Sequence, residues 1–193
     1  MFKKLIVIFS FALLLSACKD IKDDPISFVT YNPFVLDGEK FDKKYSVLNK
    51  RGYRSVEFIR GFENFKTWTK LIAVRYQQLP LINNSPLDAA KNMLSLAKRV
   101  SPKISGRIIV NKEKNEAVVE FGVVPPGKRY VEYNFFRYVK NRSKNGLVSV
   151  QFAKRLTSKN TSSKKEMNAF RKSWLDQIVK FDMREAGSYV GQL

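Results

Sequence analysis

The sequence predicts an α+β domain: an antiparallel sheet of about six strands covered by two helices. Several runs alternate apolar and polar residues at period two between turn signals, and two capped stretches repeat instead at helical spacing. The runs follow one another without the strand–helix alternation of a parallel sheet. At 193 residues, 44% hydrophobic and 13% aromatic, the chain can build one domain with a substantial core, and its composition is not that of a disordered segment.

Taken in order, Phe28 to Leu36 has strand composition interrupted by Asn32-Pro33, which reads as an edge strand or an irregular lead-in, and Asp37-Gly38-Glu39 signals a turn. Tyr53 to Arg60 alternates, Gly61-Phe62-Glu63-Asn64 turns, and Trp68 to Tyr76 returns as a hairpin with Trp68, Ile72, Val74 and Tyr76 on one face. Pro80 ends that run. Ser85 is placed to cap a helix, with Pro86 at its first position and Asp88 near the positive end of its dipole. Leu87, Ala90, Met93, Leu94 and Ala97 form its apolar stripe, Lys98 and Arg99 suit its C-terminal end, and Pro102 prevents continuation.

A β-meander follows. Ile104 to Val110 pairs with Ala117 to Val124 across a polar turn, Pro125-Pro126-Gly127 breaks the run, and Tyr130 to Lys140 pairs with Leu147 to Leu156 around Asn145-Gly146. After a polar loop, Ser163 and Glu166 match a capping box. Met167, Phe170, Trp174, Ile178 and Phe181 then recur over four turns as a stripe that packs on the sheet, and Gly187 ends the helix.

Organisation at the N-terminus is more specific. Lys3 and Lys4 precede an apolar run from Leu5 to Leu15, which suits a secretory leader and is too short for a comfortable membrane span. Leu15-Ser16-Ala17-Cys18 resembles the lipobox of bacterial lipoproteins, and Cys18 is the only cysteine in the chain. The resemblance implies that a diacylglycerol is attached to Cys18, that cleavage precedes it, and that the freed amine is often acylated. It also implies that Lys19, a residue other than Asp, directs a Gram-negative member to the outer membrane facing the periplasm. Residues 1–17 are then a signal peptide, 18–27 a lipidated tether and 28–193 a single domain. The order of elements in that domain is similar to the Mog1/PsbP-like class, mostly non-catalytic accessory modules; an NTF2-like or cystatin-like cone stays open.

Composition narrows the chemistry. Histidine is absent, which removes Ser-His-Asp and Cys-His triads, and one cysteine removes internal disulfides and cysteine-rich metal sites. No phosphate-binding loop, dinucleotide fingerprint or Gly-x-Ser-x-Gly elbow occurs. Neither a cofactor nor a metal is expected. Paired carboxylates or a Ser/Lys pair keep an envelope hydrolase open as the alternative, with Glu57, Glu63 and Glu120 as carboxylates that read more simply as ion-pair partners.

The balance of 36 bases against 17 acids gives a formal charge of +19, and removing Lys3 and Lys4 with the leader leaves 34 against 17, or +17. From Lys128 to Lys172 there are 13 bases and two acids, Glu132 and Glu166. Lys128, Arg129, Lys154, Arg155, Lys159, Lys164 and Lys165 are the candidate anion-binding residues, expected at one end of the last hairpin, opposite Arg142. Aromatics interleave with bases from Tyr130 to Tyr138 as in a nucleic-acid stacking platform, but an exported domain does not meet nucleic acid. Anionic lipid, lipopolysaccharide, a cell-wall polymer or an acidic protein fits the compartment, through binding that salt should weaken. The reading is a non-catalytic, lipid-anchored binding or accessory module of the cell envelope.

Overall fold

The computed structural model describes residues 33–48, 53–141, 145–157 and 163–190. The leader, Cys18 and the tether lie outside them, as do Arg142, Lys144 and Lys159.

Among the described residues, nine strands form an antiparallel α+β arrangement. β1 (Phe34–Leu36) and β2 (Glu39–Phe41) make a separate two-stranded hairpin. Asp37 and Gly38 turn it with φ of 53° and 74°, the left-handed pair that a two-residue hairpin requires. A seven-stranded sheet holds β3 (Lys43–Leu48), β4 (Arg54–Ile59), β5 (Lys70–Gln77), β6 (Gly106–Asn111), β7 (Glu116–Val123), β8 (Tyr130–Asn141) and β9 (Gly146–Thr157) in the order β3-β4-β5-β9-β8-β7-β6. Two meanders thus lie side by side and join where β5 pairs with β9, Ile72 opposite Phe152 and Val74 opposite Val150. β3 goes beyond the expected six strands. Its first residues, Lys43 and Lys44, are exposed, and lysines on an edge strand discourage pairing with another chain.

α1 (Pro86–Val100) covers one face over β6, β7 and β8, burying Ala89, Ala90 and Ala97 against Val119, Phe121, Phe136 and Tyr138. Ser85 caps it as expected, its hydroxyl accepting from the Asp88 amide at 3.2 Å. On the other face α2 (Lys164–Lys180) and α3 (Met183–Tyr189) pack on β8, β9 and β5 with the β1–β2 hairpin. Trp174, Ile178 and Phe181 lie against Phe34, Phe135 and Phe152 there. The Ser163–Glu166 capping box forms. Asp37 locks hairpin to helix, accepting from the Trp174 indole and from Gln177, both at 2.6 Å. Burial opposes ionisation of its carboxyl, but the Gln177 and Trp174 bonds, with Lys70 and Lys154 nearby, outweigh it and lower its pKa.

Two expectations change. The final helix does not run on to Gly187: α2 carries the apolar stripe from Met167 to Ile178 and ends with Phe181 as its cap, and Asp182 caps α3 by accepting from the Arg184 amide at 2.8 Å, so Gly187 lies inside a second helix rather than ending the first. Trp68 precedes β5 and is buried with Leu71, Ala73 and Ala153, on the face opposite Ile72, Val74 and Tyr76.

Candidate functional site

The crossover from β5 to β6 leaves a cleft of about 420 Å³ beside α1. Its outer wall is a 3-10 turn, Pro80–Ile82, followed by Asn83 and Asn84 in the left-handed region at φ 52° and 50°. Asn84 is buried and holds that turn in place: its side-chain oxygen accepts from the Leu79 amide and its nitrogen donates to the Asn145 side chain, each at 2.6 Å. The inner wall is an edge of α1. Ala89, Met93 and Leu96 recur at helical spacing along it, and Tyr138 of β8 also contributes. Burial raises the Tyr138 phenol well above its ordinary value, so it stays neutral.

Asn92, Ser95 and Arg99 form the next row outward on α1, and Gln77 and Gln78 add polar groups at the end of β5. Among the described residues, Arg99 is the one charged residue in the lining, and none of them adds a carboxylate. Leu81 stands 84% exposed in the turn. A concave apolar surface of this volume, edged by a few polar groups, has the composition of a small-molecule site. The sequence assigned Met93 to the core stripe, and a wall that α1 shares with Pro80–Ile82 depends on a tertiary contact no periodicity reports.

The six predicted cations among the described residues divide into three sets. Lys128, Arg129, Lys164 and Lys165 are exposed. Tyr130 opposite Thr157 and Glu132 opposite Arg155 confirm that Lys128, Arg129, Lys154 and Arg155 belong to the same end of the β8–β9 hairpin. Adjacent residues on a strand point to opposite faces, however, and this separates Lys154 from Arg155. Lys154 is half-buried with its ammonium 4.7 Å from the Phe170 ring centre; burial, then Lys70, lowers its pKa. Arg155 is spent on structure. Its guanidinium lies 3.8 Å from the Trp68 ring centre and 4.9 Å from that of Tyr130, and it donates to the Lys66 and Trp68 carbonyls at 3.1 Å. Lys159 lies outside the described residues.

A second polar feature crosses the α1 side of the sheet between the Trp68 cluster and the α1 cluster. Ser55, Arg75, Glu132, Asn134, Ser149 and Gln151 are all buried. Arg75 pairs with Glu57 at 3.0 Å, and Gln151 donates to the Asn134 side chain at 2.7 Å. Burial raises the Glu132 carboxyl to about 7, and the charge of Arg155 only partly offsets this. These residues come from four strands, so sequence spacing gave no sign of the group. Glu63 and Glu120 are ion-paired, to Arg60 at 2.6 Å and to Arg107 and Arg171 respectively. With the Glu57–Arg75 pair, all three carboxylates singled out in the sequence serve as ion-pair partners.

A protein-family model matches residues 28–183. No curated protein matches the chain.

Proposed function

The chain belongs to the family matched over residues 28–183, and from that premise we propose a non-catalytic, lipid-anchored binding module of a bacterial envelope. Acylated Cys18 is its anchor, residues 18–27 its tether, and the cleft beside α1 its ligand site. The observation that carries this reading is the cleft: about 420 Å³, walled by Leu79 to Ile82 and by Met93 and Leu96, and free of carboxylates in its lining. Such a lining favours holding an apolar group and supplies no acid–base pair, so it supports binding rather than the alternative of carboxylate-based hydrolysis. Lys128, Arg129, Lys164 and Lys165 supply exposed positive charge for an anionic surface.

The test uses the mature chain carrying Cys18→Ser, which the proposal expects in the soluble fraction. This protein should enhance the emission of a polarity-sensitive dye, and Leu81→Glu, at an exposed position that the fold does not need, should weaken the binding. A chain that binds no dye, or binds it equally with Leu81→Glu, is not using this cleft.

A further inference from the structure

We infer that the cleft takes a single-chain amphiphile with an anionic head, its alkyl chain along α1 and its acid group at Arg99. This rests on the binding reading above and specifies its ligand.

The shape of the cleft sets the first limit. One turn of a helix with its side chains is a cylinder about 10–12 Å across and 5.4 Å tall, roughly 400–600 Å³. A volume of about 420 Å³ shared between the turn and α1 suits a slender chain better than a partner helix several turns long. The layout of α1 gives the second. Ala89, Met93 and Leu96 form an apolar row, and Asn92, Ser95 and Arg99 a polar row beside it on the same helix. A ligand lying along the helix therefore meets hydrocarbon on one side and hydrogen-bonding groups on the other. Leu81, 84% exposed, offers apolar surface that such a ligand would cover.

Charge settles the head group. Among the described residues no Asp or Glu lines the cleft, and its one charged residue is the guanidinium of Arg99, which matches a carboxylate in a forked geometry. Lys98 and Lys103 are exposed and lie within four residues of Arg99 in sequence. Tyr138 stays neutral and adds no negative charge to repel an acid.

The experiment displaces the dye from the mature Cys18→Ser chain with dodecanoate and with dodecanol, two probes of equal chain length that differ in head charge. Dodecanoate should compete at least tenfold more strongly at low salt. Arg99→Gln should remove that preference while leaving dodecanol unchanged, and Leu81→Glu should weaken both. Equal competition by acid and alcohol, or an Arg99→Gln protein that keeps its preference, overturns the ligand class. Dye that neither probe displaces does the same while leaving a binding cleft in place. A wild-type cleft that takes up no dye fails at the earlier step, as a binding site of any kind.

Discussion

Glu132 links the stability of the domain to pH. Its carboxyl is raised to about 7 by burial, whereas in the unfolded chain it titrates near the ordinary 4.5. The folded state therefore holds the proton more tightly. Its favourable contribution is complete below about pH 4.5, declines as pH rises between the two values and is gone above about 7. A gap of this size corresponds to about 3 kcal/mol. Glu132→Gln, which imitates the neutral acid, should stabilise the protein above pH 7 and flatten its stability between pH 5 and 8 in chemical denaturation. Gly146 teaches a different lesson. The sequence identifies it as half of an Asn-Gly turn, and it does open β9, but a Cβ there would meet the Tyr76 ring at 2.5–2.7 Å. Gly146→Ala should cost about 1–3 kcal/mol by overpacking, measured as a lower denaturation midpoint with an unchanged slope. The turn was legible because it is local; the approach of a residue seventy positions away was not. The opposite directions of Lys154 and Arg155 follow from strand alternation alone, and counting charge along the chain without regard to that alternation merged them into one patch.

At the scale of elements, the starts of α1 and α2 and the end of α1 were legible, whereas the end of α2 and the start of α3 were not. Ser85 and Ser163 cap through neighbours three residues away, so their signals sit in the sequence itself. The end of α2 is held instead by Arg137 of β8, which donates to the carbonyls of Ile178, Val179 and Phe181 at 2.8–3.1 Å and pairs with Glu116 at 2.7 Å. A buried cation satisfying the carbonyls at the negative end of a helix lets α2 stop and α3 begin without a glycine. Arg137→Met should destabilise the domain by about 3–5 kcal/mol, since it leaves Glu116 and three carbonyls without their partner. Arg137→Lys should recover only part of this, because an ammonium cannot reproduce the fork. Equilibrium unfolding of the two variants beside wild type measures both effects.

For the whole molecule, the β4–β5, β6–β7 and β8–β9 hairpins and the starts of α1 and α2 could be read from local pattern, yet the joining of the two meanders through β5 and β9 could not. That contact brings residues 70–77 against 147–154, and it creates both the polar band around Arg75 and the crossover that walls the cleft. Charge also needs the fold for its interpretation. Exchanging Lys128, Arg129, Lys164 and Lys165 for Glu should leave thermal stability nearly unchanged, since all four are exposed. It should weaken association of the Cys18→Ser chain with phosphatidylglycerol vesicles at low salt, and the difference should shrink as salt rises. Arg155 does not belong in that set, because reversing it would disrupt its packing between Trp68 and Tyr130.

All of these surfaces matter to an envelope only if the chain is exported and held there, and one residue carries that claim. A single acyl chain holds a protein marginally and two or more hold it stably, so the modification of Cys18 decides the location. The direct measurement is the intact mass of the protein extracted from its membrane fraction, with sequencing of its N-terminal peptide. The account predicts a chain that begins at Cys18 and carries a thioether-linked diacylglycerol. A chain that retains residues 1–17, or one cut elsewhere with an unmodified Cys18, would contradict it.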